Sequence, residues 1–137
     1  MSNPHSTTHG WQRLLGKACD LQSLSRHSLR VSFDGGRAHR LRVTDAGDHW
    51  LLTGVILKDT RMMPVETPFR DHPALAAAQR NRYLILCGIT VDDSGRLTGS
   101  CRVPKAGLCA SEFQLHARHL AAECDRLEHL FTGEDRE

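Results

Sequence analysis

"SLRVSFDGGRAHRLRV", residues 28–43, is the stretch from which the fold is read. Leu29, Val31 and Phe33 alternate with Ser28, Arg30 and Ser32, and Leu41 and Val43 alternate with Arg40 and Arg42. A period of two places each set on its own face of a pleated strand. Between the runs, Asp34-Gly35-Gly36 supplies the positive φ angles of a tight hairpin turn. The stretch therefore predicts two antiparallel strands with one apolar face buried and the arginines on the other.

Working outward, Trp11, Leu14, Leu15, Ala18, Cys19 and Leu21 recur at three- and four-residue steps between Gly10 and Leu24, which predicts an amphipathic helix. After a turn at Asp45 to Asp48, "HWLLTGVILKD" (49–59) carries Trp50, Leu52 and Ile56 on one face and Leu51, Val55 and Leu57 on the other. A strand apolar on both faces needs cover on both. "DTRMMPVETPFRDHP" (59–73) holds three prolines and reads as an extended connection, with Asp71 and Pro73 opening a helix over "HPALAAAQRNRYL".

A second hairpin follows: "YLILCGITV" (83–91), a turn at Asp92-Asp93-Ser94-Gly95, then Leu97, Gly99, Cys101 and Val103 in alternation with Arg96, Thr98, Ser100 and Arg102. The last helix has Ser111 and Gln114 at capping-box spacing, a seam of Phe113, Ala117, Leu120, Cys124, Leu127 and Phe131, and Gly133 as its stop. The order helix-βββ-helix-ββ-helix predicts an α+β fold, a mostly antiparallel sheet packed against helices. Residues 1–9 read as a disordered N-terminal tail, 10–133 as a single domain and 134–137 as a C-terminal tail.

Composition narrows the function classes. A chain of 137 residues with net charge +2 and interspersed charges does not demand a polyanionic partner. No run reaches the roughly 20 apolar residues of a membrane span, and "MSNPHSTTHG" lacks a signal-peptide pattern, so the expected location is cytoplasmic. Cys19, Cys87, Cys101, Cys109 and Cys124 are an odd set with no CxxC pair, expected to be reduced and structural.

Four constellations bear on chemistry. Glu112, His116, His119 and Glu123 follow steps of four, three and four along the last helix, a spacing a metal site can use. The plainer reading is a solvated helix face, since no second group of ligand types supports it, and no metal or other cofactor is expected. Cys87 and Cys101 lie in the apolar phase of their strands, where a thiol is held protonated and is a poor nucleophile. Arg30, Arg40, Arg42 and Arg102 offer a basic sheet face, but an RNA-reading sheet also displays stacking aromatics, and the chain has two Trp, one Tyr and four Phe, mostly in apolar phase. Met62, Met63, Val65 and Phe69 place adaptable apolar side chains on the proline-rich connection.

The run "RNRYLILCGITVDDSGRLTGSCRVP" (80–104) has Asn81 ahead of a strand, an acidic-glycine turn and a closing Val103-Pro104; "ECDRLEHLFTG" (123–133) ends a long helix. Together with the element order, these resemble the YbjN and class I type III secretion chaperone superfamily over residues 10–133. The resemblance implies a small, non-enzymatic α+β homodimer that holds an extended, partly unfolded client segment on apolar patches. Secretion chaperones of this kind tend to be acidic, whereas this chain is +2. That difference favours the YbjN-like side as a protein- or peptide-binding module, with a dedicated effector chaperone, a metal-dependent enzyme and nucleic-acid binding as alternatives. The surplus of apolar strand surface names the expected contacts: Trp50, Leu52, Met62, Met63, Val65 and Phe69.

Overall fold

The computed structural model describes residues 10–58 and 87–132. The chain enters through a 3-10 turn, Gln12–Leu15, and continues into β1 (Leu21–Ser25), β2 (Ser28–Ser32), β3 (Ala38–Asp45) and β4 (His49–Leu57). Beyond 59–86 come β5 (Gly88–Val91), β6 (Leu97–Pro104) and a 23-residue helix, α1 (Ala110–Thr132). The strands form one antiparallel sheet in the order β1-β2-β3-β4-β6-β5. The expected α+β class is what the chain adopts; the proline-rich connection, the helix expected after Asp71 and both tails lie outside the described residues.

The opening hairpin forms as its alternation requires. Gly35 and Gly36 sit at φ 87° and 83°, and the Phe33 amide donates to the Arg37 carbonyl at 2.7 Å to close the turn. Leu29 faces Leu41 and Val31 faces His39 on the buried side, while Arg30 lies opposite Arg40 on the exposed side. The second hairpin turns on Asp92, whose Oδ1 accepts from the Ser94 amide, the Ser94 hydroxyl and the Arg96 amide at 3.0, 2.6 and 2.9 Å.

Two expectations are corrected at the N-terminal end. The expected helix is a single 3-10 turn, ended by Gly16 at φ 55°, and Leu21–Ser25 becomes an edge strand paired to β2. Only Leu21 of β1 is buried, so the strand's pattern carries too few apolar positions to outweigh the helical spacing before it. The capping box does not form either: α1 begins at Ala110, and the Gln114 side chain instead donates to the Leu14 and Leu15 carbonyls at 2.9 and 3.2 Å. It thereby ties the entry turn to the helix; the Leu15 carbonyl also accepts from the Ala18 amide at 3.1 Å.

α1 lies on one face of the sheet. Phe113, Ala117, Leu120, Ala121, Cys124 and Leu127 are buried with Leu29, Leu41, Leu52, Ile56, Ile89 and Leu97 of the strands. The helix packs over the paired glycines Gly54 and Gly99: Cβ atoms there would stand 3.0 and 2.8 Å from Cys124 Sγ. Trp11 stacks on Phe113 with centroids 6.3 Å apart and donates from its indole nitrogen to the Arg26 carbonyl at 2.8 Å, tying the entry turn to helix and hairpin at once.

A bidentate ion pair completes this end. Arg118 Nε and Nη2 donate to Asp20 Oδ2 and Oδ1 at 2.7 and 2.9 Å, and the guanidinium holds the Asp20 carboxyl below its ordinary 3.8. Both side chains are about two-fifths exposed, so solvent screens the pair. A carboxyl whose folded pKa is lowered stabilises the fold above its unfolded pKa, and the contribution is lost as pH falls through the folded value. Asp20→Asn is expected to lower stability by about 0.5–1 kcal/mol at pH 7. Urea unfolding should show the difference closing as pH drops below 3.8.

Candidate protein-binding surface

β4 carries apolar side chains on both faces of the sheet. Trp50, Leu52, Gly54 and Ile56 point toward α1, and Leu51, Thr53 and Val55 point away, all three half-buried. The register extends this second face across the neighbours: Thr53 lies between Arg42 and Ser100, Leu51 between Thr44 and Arg102, and Val55 beside Thr98. Thr90 continues the row through Thr98 at the β5 edge. Of the described elements, neither α1 nor the 3-10 turn packs on this face. The result is a shallow apolar strip of Leu51 and Val55, bordered by hydroxyls and rimmed by exposed Arg30, Arg40, Arg42 and Arg102.

The arginine row is thus the exposed side of the same alternation that buries Leu29, Leu41 and Val43. Arg30 and Arg40 face each other directly, a like-charge pairing that weakens a sheet slightly and favours an anionic group nearby.

The expected contact residues are distributed differently. Leu52 is fully buried in the core beneath α1, so it is corrected from a docking residue to a packing residue. Trp50 also points to the helix side, half-buried, with Lys105 Nζ 4.3 Å from its ring centroid. Lys105 is held there by Asp45, whose Oδ1 accepts its hydrogen bond at 2.6 Å and whose pKa that contact lowers. Trp50 therefore belongs to a closed corner at the end of β4. Met62, Met63, Val65 and Phe69 lie outside the described residues. Leu51 and Val55 were visible in the sequence as the second apolar phase of β4, and the register adds their hydroxyl and arginine border.

The reactive-group candidates do not gather into one site among the described residues. Glu112 is exposed, Glu123 pairs with Arg126 at 2.6 Å, and His116 Nδ1 lies 3.7 Å from Cys101 Sγ. The helix Glu/His row does not converge: among the described residues, the group of three ligand types that does is His39, Asp125 and Glu128. Burial pushes the Cys87 and Cys101 thiols up to about 11, so His116 faces a thiol and not a thiolate nucleophile. Burial raises Cys124 further still. Among the described residues no helix is long and apolar enough to cross a membrane.

No protein-family profile matches the chain, and no curated protein sequence matches it. Solved structures do. A chain of the heterodimeric ExoU–SpcU complex from the type III secretion system of Pseudomonas aeruginosa is 19% identical, with TM-score 0.55 over 83% of this chain and 90% of that one. A chain of the ExsC–ExsE complex is 18% identical, with TM-score 0.58 over 91% and 96%. A chain of the HopA1–SchA chaperone–effector complex is 18% identical, with TM-score 0.57 over 89% and 95%. The six-stranded antiparallel sheet with its C-terminal helix is thus the fold found in type III secretion chaperone complexes.

Proposed function

We propose that the protein is a non-enzymatic, chaperone-like module that binds an extended segment of another protein on the face of the sheet opposite α1. The observation that carries this reading is the half-buried Leu51–Val55 strip on a sheet whose other face is already closed by a helix. An extended segment suits it: side chains alternating along the segment meet the apolar strip, and the arginine rim favours acidic residues flanking the apolar ones. The fold shared with chains of chaperone–effector complexes supports a protein as the partner. The arrangement is compatible with a YbjN-like regulator and with a dedicated secretion chaperone; a homodimer belongs to either.

Capture from a lysate of the native host tests this, using the wild-type chain and a Leu51→Asp/Val55→Asp variant in parallel. Mass spectrometry identifies the bound proteins and light scattering gives the oligomeric state. One or a few saturable clients on a wild-type dimer, absent from the variant, support the reading. A monomer retaining nothing overturns it.

A further inference from the structure

Between β3 and the second half of α1, three groups able to bind a metal are buried together. His39, Asp125 and Glu128 are 2%, 5% and 7% exposed, and one ligand atom from each lies within 4.8 Å of the others. They arrive from independent elements: His39 from the inward phase of β3, and Asp125 and Glu128 from adjacent turns of α1. A carboxylate taken out of water needs strong partners in its place. Arg37 is one of them for Asp125, its Nη2 standing 3.1 Å from Asp125 Oδ2.

The imidazole shows what else the site is built for. His39 Nε2 stands 3.0 Å from the Val55 carbonyl oxygen, which can only accept, so Nε2 carries the proton and donates. That tautomer leaves Nδ1 with its lone pair, and Nδ1 is buried with no hydrogen-bond partner; Asp125 Oδ1 is likewise buried without one. A histidine oriented by a backbone carbonyl through one nitrogen, with a lone pair left on the other, is the usual arrangement of a metal-ligating imidazole.

We infer that His39 Nδ1, Asp125 and Glu128 form a binding site for one divalent transition-metal ion of the zinc class. One imidazole nitrogen and two carboxylate oxygens suit such an ion, with a fourth position for water. Metal–ligand bonds of about 2.0–2.2 Å require the three atoms to close to about 3.4 Å, from a present spacing within 4.8 Å. The ion would join β3 to α1 beneath Arg37 and act as an internal staple. This inference is independent of the protein-binding reading, since the site lies on the opposite side of the sheet from the Leu51–Val55 strip.

The test uses the full chain, stripped with a chelator and then titrated with Zn2+ against a chromophoric competitor. Wild type is expected to hold one equivalent and to melt at a higher temperature when loaded. Glu128→Gln and Asp125→Asn, which keep side-chain volume, should each weaken Zn2+ binding by at least about 10-fold, the lower end for loss of a metal-site partner. Both variants are checked by circular dichroism, so that a loss of binding is read only from a folded chain. Co2+ substitution separates this site from the cysteines, as an N,O-ligated ion gives visible d–d bands without thiolate charge-transfer absorption. Absence of bound Zn2+ in wild type, unchanged affinity in Glu128→Gln, or thiolate bands with Co2+ would each overturn the assignment.

Discussion

Gly99→Val is expected to destabilise the protein by about 3 kcal/mol, near the upper end for overpacking a filled core. A Cβ at position 99 meets Cys124 Sγ at 2.8 Å and Leu120 Cδ1 at 3.2 Å, and its cross-strand neighbour Gly54 is equally hemmed in, by Leu41 Cδ2 at 2.9 Å and Cys124 Sγ at 3.0 Å. Neither glycine has a left-handed φ, so space and not backbone geometry excludes a side chain there. For a chain of this length the loss corresponds to a melting temperature lower by roughly 10 °C. Gly99→Ala should cost less, and Cys124→Ala should relieve it. The double variant Gly99→Ala/Cys124→Ala should be more stable than the two single effects sum to, by about 1 kcal/mol. Strict additivity in thermal unfolding would mean that α1 does not sit over this glycine pair.

The second large effect falls on binding. Leu51→Asp/Val55→Asp should leave the fold standing, because both side chains are only half-buried and the carboxylate introduced at position 51 lies directly opposite Arg102. Each buried carboxylate set against an apolar client side chain incurs a desolvation penalty, and acidic client flanks would add repulsion. A loss of about 3 kcal/mol in binding, or over 100-fold in Kd, is expected for the pair. Calorimetry with the client identified by capture measures it, with circular dichroism as the control for folding. Unchanged affinity in a folded variant would remove this face from the site.

The two hairpins were legible because their signals are local. Alternation over five to eight residues, interrupted by Asp34-Gly35-Gly36 or Asp92 to Gly95, determines both pairing and face, and the structure places Leu29, Leu41, Leu97 and Val103 in the core as that phase requires. β1 was not legible, because an edge strand with one buried residue differs little in pattern from the end of a helix. Gln114 illustrates a second gap: at capping-box spacing it nevertheless binds carbonyls about a hundred residues earlier, a choice made by tertiary packing. Of the expected contact residues, Leu52 followed the apolar phase into the core, while Leu51 and Val55 gained their meaning only once α1 was seen to cover the other face. The His39 cluster had a partial signal, since His39 shares the inward phase of Leu41 and Val43. The approach of Asp125 and Glu128 depends on how α1 crosses the sheet, which spacing within the helix does not encode.

The most direct test of the central claim is photo-crosslinking from the middle of the sheet face. A photoreactive residue placed at Thr53 should form a saturable adduct with the protein captured from the host lysate, and the same group at exposed Ala122 on the outer side of α1 should not. That outcome puts the client on the Leu51–Val55 strip. An adduct from Ala122 with none from Thr53 would place the client on the helix side and contradict the account.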